Sequence, residues 1–324
     1  MKKTRLAGLA LVAPLCLLCA CSTQMPLSFS ANWYSDTALT ENISDTYEHL
    51  EYKVDFKGTE GADFSVEYDP GTYTTTLKSE LSTLPDGTSE TVYVYTTELS
   101  ISGRYTFKGE TSETFEDSVT SKVVFRNVKK KLAPVSSTKT VKTTSPVQNA
   151  DTLEESYKVY HYTYDVSYNM DLTEAKITYT DLTAETPEPS EKTASVATEG
   201  TYLDNEQILF ALRGLDLSTQ KSFYSINPVV NTMQPVSIYS PTSTTVSLSG
   251  AEIDGVTADY DISAYSVNIG YQTSFPGGTQ VLYYAQTVAN SNTYRNALLY
   301  MEVPVMQSLG TLRYTLVKAQ FSEK

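Results

Sequence analysis

Two histidines are the side chains of this sequence best suited to acid–base or metal chemistry near neutral pH. His49 shares the polar side of a predicted strand with Glu51 and Lys53, and His161 shares that of another strand with Asp165. A catalytic or metal site needs partners that are held in a pocket, so this pattern indicates two solvated histidines. The motifs G-x-S-x-G and H-E-x-x-H and a phosphate-binding glycine loop are absent from the sequence. We therefore predict no catalytic residue, no metal site and no cofactor.

Three aspartates could offer calcium the oxygen ligands that it takes. They are Asp254, Asp259 and Asp261. Asp254-Gly255, however, is typical of a hairpin turn, and Asp259 and Asp261 alternate with apolar residues as side chains on the solvent side of a strand do. We therefore predict a turn and a solvated strand here rather than a calcium site.

A cationic segment lies between Asp117 and Asp151, where the chain has seven basic residues and no acidic one. The basic residues are Lys122, Arg126, Lys129, Lys130, Lys131, Lys139 and Lys142. The central three, Lys129 to Lys131, could contact anionic lipid or wall polymer, and each basic residue near such a surface would contribute about 1 kcal/mol. The alternative, which we favour, is a solvated hairpin.

The N-terminus has the form of a secretory signal. Three basic residues, Lys2, Lys3 and Arg5, precede the apolar stretch from Leu6 to Leu18. This stretch is shorter than the roughly 20 residues that a transmembrane helix needs, so we predict that it is removed after export.

The end of this signal carries a lipid-attachment motif. Leu18-Cys19-Ala20-Cys21 resembles the bacterial lipobox, which implies cleavage before Cys21 and a lipid on that residue. The alternative is an ordinary signal peptide with incidental cysteines. All three cysteines lie in this region, so the remaining chain can form no disulfide, and anchoring is the role that Cys21 can fill. Two or three acyl chains together would hold the protein stably on a membrane.

The chain that follows the signal is strongly acidic. Without residues 1–20 it has 21 basic and 38 acidic residues, a net charge of −17. A chain with this negative charge repels polyanions, which excludes nucleic acid as a partner. We predict an extracytoplasmic protein on the cell membrane or outer membrane, with residues 21–45 as a lipidated tether and residues 46–324 as a β-domain.

Alternation of apolar and polar residues predicts strands over most of that domain. One such side carries Tyr160, Tyr162, Tyr164, Val166, Tyr168, Met170 and Leu172. Asp69-Pro70-Gly71 and Pro85-Asp86-Gly87 each predict a hairpin turn. We expect about fourteen strands, with residues 132–156 in a long hairpin rather than a linker between two domains.

One segment has helical spacing instead. Asp204 is the predicted N-cap, Gln207 would complete a capping box, and Gly214 supplies the stop, so a helix is expected from Asn205 to Arg213. A helix of this length is unstable alone, and we expect it inside the curve of the sheet. We expect Ile208, Leu209 and Leu212 of this helix to face the apolar, tyrosine-rich side of the sheet. It either plugs the curve or leaves an apolar pocket, and we favour the plug because an empty cavity loses packing.

The helix sequence Asp204-Asn205-Glu206-Gln207-Ile208-Leu209-Phe210-Ala211-Leu212-Arg213 is followed by strands that end in Val303-Pro304 and Gly310-Thr311-Leu312-Arg313-Tyr314-Thr315-Leu316. This second half of the chain resembles the exported β-clam proteins related to the lipoprotein carriers of the bacterial envelope. The resemblance implies an all-β, mainly antiparallel fold, in which a long curved sheet or half-barrel packs around one short helix.

Two classes of function are compatible with these patterns. The first, which we favour, is a non-enzymatic envelope lipoprotein that binds an apolar ligand or an envelope protein, or that has a structural role. The second is an envelope hydrolase, since the paired carboxylates of a glycosidase can hide among 38 acidic residues.

Overall fold

The protein is described by a computed structural model that covers residues 46–59, 64–107, 109–128, 131–148, 155–196, 202–229, 231–271, 279–286, 289–291, 293–305 and 309–321. These residues form a large, mostly antiparallel, curved sheet of 17 strands with one short helical segment. The predicted all-β class is therefore confirmed, with more strands than the alternation of residues had indicated. None of the helices in the described ranges is long and apolar enough to cross a bilayer.

The first ten strands are β1 (Tyr47–Gly58), β2 (Phe64–Tyr68), β3 (Gly71–Thr83), β4 (Ser89–Phe107), β5 (Glu110–Thr111), β6 (Phe115–Val128), β7 (Lys131–Gln148), β8 (Glu155–Tyr168), β9 (Glu174–Asp181) and β10 (Pro189–Ser195). The other seven are β11 (Tyr202–Asp204), β12 (Lys221–Asn227), β13 (Thr232–Ile253), β14 (Val256–Tyr271), β15 (Gln280–Ala285), β16 (Leu298–Val305) and β17 (Gly310–Gln320). Between β11 and β12 lies the helical segment, made of a 3₁₀ turn (Asn205–Gln207), the α-helix α1 (Ile208–Ala211) and a second 3₁₀ turn (Leu212–Gly214).

The sheet has two wings that meet where β1 pairs with β17. The first wing runs through β3, β4, β6, β7, β8 and β9 to β10. The second wing runs from β17 through β16, β15, β14, β13 and β12 to β11. Neighbouring strands are antiparallel except for β11 with β12 and a short contact between β13 and β17. One extensive core of buried side chains connects the wings and the helical segment.

Two predicted turns are confirmed as hairpins. Pro85-Asp86-Gly87 joins β3 to β4, and Gly87 adopts a φ of 84° there. Asp254-Gly255 joins β13 to β14, with φ values of 48° and 80° and with Ile253 opposite Val256. Positive φ at both central residues is the geometry that an Asp-Gly hairpin favours, because its twist matches that of the strands.

The predicted hairpin at Asp69-Pro70-Gly71 is wrong. β2 and β3 do not pair with each other across it; both pair with β4, one after the other along its length. The Asp69 amide donates to the Ser102 carbonyl oxygen at 2.9 Å, so the chain continues along β4. Gly71 is required by a close approach rather than by a reversal, since a Cβ atom there would lie 2.7 Å from the Ser100 carbonyl oxygen.

Candidate functional site: a cavity beside the helical segment

A cavity of about 280 Å³ lies on the concave face of the sheet, between the helical segment and both wings. Strands β3, β4, β6 and β7 contribute to it from the first wing, and β14 to β17 contribute from the second. Its lining residues are Tyr73, Tyr95, Thr97, Leu99, Val119, Ser121, Lys139, Asn205, Glu206, Ile208, Leu209, Ile269, Gly270, Gln280, Met301, Val303 and Tyr314. Apolar and aromatic side chains dominate this lining, as in many ligand sites.

The helical segment leaves this space open because its large aromatic side chain is held elsewhere. Phe210 is buried, and its ring centroid lies 5.3 Å from that of Tyr95 and 5.2 Å from that of Phe125. Ile208 and Leu209 line the cavity, and Leu209 is only partly buried. The segment therefore covers part of the concave face, and the plug that we favoured from the sequence does not form.

One side of the cavity is polar, because an ion pair joins the helical segment to the first wing. Lys139 Nζ donates to Glu206 Oε1 at 3.2 Å, and Asn205 Nδ2 donates to the same oxygen at 2.8 Å. Burial acts to lower the pKa of Lys139, but the Glu206 carboxylate and its hydrogen bond, together with Tyr162 and Asp204, raise that pKa above its ordinary value. Lys139 therefore stays protonated beside this carboxylate.

The start of the helical segment is fixed by a buried carboxyl group. Asp204 Oδ1 accepts from the Glu206 amide at 2.8 Å, which confirms the predicted N-cap. Asp204 Oδ2 accepts from the hydroxyls of Ser137 and Tyr168, both at 2.7 Å. Burial raises the pKa of Asp204 to about 6, although these hydrogen bonds act to lower it.

The end of the segment is fixed by a buried ion pair. Arg213, at 3% exposure, donates from both terminal nitrogens to the carboxylate of Glu48 on β1, at 1% exposure. Arg213 Nη2 also donates to the Arg295 carbonyl oxygen at 2.7 Å. A bidentate pair of this kind fixes orientation, and removing one partner would leave the other charge buried without compensation. The helical segment is thus anchored at both ends.

Gln207 does not complete the expected capping box. Its side chain is fully buried, and neither Oε1 nor Nε2 has a hydrogen-bond partner in the described part of the chain. The first turn is 3₁₀ rather than α-helical, and Asp204 caps the Glu206 amide. The capping box is therefore a wrong prediction, although the N-cap and the helix are confirmed.

The residues singled out in the sequence have separate positions. Ile208 and Leu209 line the cavity, whereas Leu212 is fully buried in the core and does not. Cys21, Lys129 and Lys130 lie outside the described residues, and Lys131 is the first residue of β7. The predicted role of Lys129 to Lys131 as an anionic-surface patch stays a prediction.

Three other residues of the cationic segment form ion pairs. Lys122 Nζ lies 3.5 Å from Glu80 Oε1, Arg126 Nε lies 3.1 Å from Glu90 Oε1, and Lys139 pairs with Glu206 as described above. The charges of these three residues, of the seven in the segment, are thus balanced by acidic side chains from other parts of the chain.

The histidines and aspartates considered for metal or acid–base chemistry lie apart from the cavity lining. His49 Nδ1 lies 2.8 Å from Thr76 Oγ1, and its Nε2 lies 3.3 Å from Glu51. Asp254 accepts from the Phe321 amide, and Asp259 and Asp261 accept from serine hydroxyls of β13. Within the described ranges no group of three or more acidic, histidine or cysteine residues could hold a metal ion.

No protein-family model, curated protein or solved structure matches the chain. The interpretation of the cavity therefore depends on its own geometry and chemistry.

Proposed function

We propose that this chain is a bacterial lipoprotein, held on the outer side of the cell membrane or on the outer membrane by the lipid on Cys21, and that its β-domain binds an amphiphile without chemical conversion. The observation that carries the proposal is the cavity beside the helical segment. The lipid anchor would keep that cavity close to membrane amphiphiles.

The distribution of side chains around the cavity supports an amphiphile as the ligand. Leu99, Val119, Ile269 and Met301 give an alkyl chain an apolar environment, which favours its transfer from water. Polar partners for a head group are concentrated where Lys139 pairs with Glu206. The volume lies just below the range of small-molecule sites, about 300–1,000 Å³, which suits one alkyl chain.

The hydrolase alternative has less support from the geometry of this site. Glycosidases place two carboxyl groups on either side of the bond that they cleave. Among the described residues that line the cavity, Glu206 is the single acid, and its carboxylate is already paired with Lys139. The cavity therefore favours binding over hydrolysis.

A photolabelling experiment tests the proposal. The full chain is reconstituted into phosphatidylcholine nanodiscs and exposed to an alkyl amphiphile with a diazirine at the chain end. We expect peptide mass spectrometry to find the label at Ile208 and Leu209 and on β16 near Met301. Leu209→Trp should remove this labelling because the larger side chain fills the cavity.

Leu81→Trp is the matched control, because it places the same side chain at a position of β3 that is 74% exposed and outside the cavity lining. It should leave the labelling pattern unchanged. Labelling that avoids the cavity residues, or that Leu209→Trp does not alter, would show that the cavity is not a binding site for amphiphiles.

A further inference from the structure

A cluster of tyrosines lies on the first wing next to the cavity. Its members are Tyr162 and Tyr164 on β8 and Tyr179 on β9, all partly exposed. The ring centroids are 5.3 Å apart for Tyr162 and Tyr164 and 5.0 Å apart for Tyr164 and Tyr179. Their hydroxyl groups make no hydrogen bond within the described part of the chain. We call these three residues the tyrosine cluster.

The strand register places the tyrosine cluster on the same face as the cavity. Ser121 is directly opposite Lys139, Lys139 is opposite Tyr164, and Tyr164 is opposite Tyr179. Directly opposite residues of an antiparallel pair point to the same side of the sheet. Ser121 and Lys139 line the cavity. The cross-strand row of side chains that begins with these two residues therefore continues into the tyrosine cluster. A ligand in the cavity can therefore reach the tyrosines without leaving the concave face.

We propose that the tyrosine cluster binds the carbohydrate head group of a neutral glycolipid whose alkyl chain occupies the cavity; this inference rests on the proposed function. A pyranose ring has a face of C–H groups with partial positive charge, which the negative face of an aromatic ring attracts. The same sugar has a rim of hydroxyls, and the free tyrosine hydroxyls can exchange hydrogen bonds with it.

The charges around the cluster favour a neutral head group. Lys139 and Glu206 compensate each other at the boundary between the cavity and the cluster. Lys158 lies over the Tyr160 ring at 5.1 Å from its centroid. The chain without residues 1–20 has a net charge of −17, which opposes an anionic head group. Because the cluster lies on the concave face, a head group of a single ligand fits it better than a flat lipid surface does.

The test compares two amphiphiles with the same decyl chain, n-decyl maltoside and n-decyl phosphocholine, as competitors of the photolabel in the full chain. The variant is Tyr164→Ala combined with Tyr179→Ala. The concentration of the maltoside needed for half-maximal competition should rise at least about fivefold, since each aromatic contact removed weakens binding measurably. The phosphocholine should compete equally well with the variant and the unmutated chain.

Tyr283→Ala is the matched control, because Tyr283 pairs with the ring of Tyr300 at 5.1 Å and is absent from the cavity lining. It should change neither competition curve. Equal weakening of both amphiphiles by the double variant, or no change in either, would overturn the assignment of a sugar while leaving the cavity as a binding site. Failure of both amphiphiles to compete in the unmutated chain would overturn the proposed function and this inference together.

Discussion

Asp204 is the residue whose ionisation has the clearest consequence for stability. Its pKa is raised to about 6 from an ordinary 3.8, so between these values the folded chain binds the proton more strongly than the unfolded chain does. The stability that this residue contributes is then highest at low pH and falls as the pH rises to 6, by roughly 2–3 kcal/mol. The contribution becomes constant about one pH unit above the folded-state pKa.

We predict that Asp204→Asn removes this dependence. The free energy of unfolding of the variant, relative to the unmutated chain, should increase between pH 4 and pH 6 and level off above it. Burial raises the pKa of Asp117 to about 6 as well, so the comparison of the two chains, rather than the curve of either one, isolates Asp204. Denaturant unfolding at pH 4, 5, 6 and 7 measures the difference.

Asp259→Asn is the control for that series. The hydrogen bonds from Ser249 and the Gly250 amide hold the pKa of Asp259 below its ordinary value, so its titration lies below the window. It should therefore not reproduce the rise. If the difference in unfolding free energy between Asp204→Asn and the unmutated chain stays the same from pH 4 to pH 6, the raised pKa of Asp204 is contradicted.

Asp204 also shows what the sequence reveals about a single residue. Its role as N-cap was predictable, because the cap bonds an amide two positions away and depends on local sequence. Its hydrogen bonds to Ser137 and Tyr168 were not, because they join residues 67 and 36 positions apart through the order of the strands. The pairing of Lys139 with Glu206 escaped prediction for the same reason.

At the scale of elements, two neighbouring residues of the helical segment have different roles. Phe210 packs in the core, whereas Leu209 lines the cavity. We predict that Phe210→Ala costs roughly 3–5 kcal/mol of unfolding free energy, since the buried ring packs between Tyr95 and Phe125. Leu209→Ala should cost clearly less, because Leu209 already lies against open space. Denaturant melts of the two variants test this order. Equal losses would mean that Leu209 is as tightly packed as Phe210.

The elements themselves were largely predictable, because alternation is a local property of a strand with one buried side. In β1, Leu50, Tyr52 and Val54 are buried as the alternation requires. The error at Asp69-Pro70-Gly71 arose because proline and glycine favour turns but also interrupt an edge or allow a close approach. The sequence cannot distinguish these uses until the partner strand, here β4, is known.

At the scale of the whole molecule, the cavity depends on how the wings curve towards each other. Residues more than 200 positions apart, such as Tyr73 and Met301, line the same space. Alternation predicts which side of each strand faces inward but not which strands become neighbours, so the volume left beside the helical segment could not be predicted. The expectation of a plug assumed that every apolar side chain would meet another, whereas Ile208 and Leu209 meet the cavity.

The proposed attachment of the molecule to a membrane gives the last prediction. Cys21→Ser should abolish incorporation of labelled palmitate and release the protein from membranes without unfolding the β-domain, because Cys21 precedes the first strand by 26 residues. Cys19→Ser is the matched control, since Cys19 lies inside the segment that resembles a lipobox but is not the residue proposed to take the lipid, and it should keep both the label and the membrane attachment. Fractionation before and after a high-salt wash checks the result, because salt screens any attachment through Lys129 to Lys131 and does not affect a lipid anchor. A Cys21→Ser protein that still takes up labelled palmitate, or that stays bound after the wash although residues 1–20 have been removed, would contradict the lipid anchor.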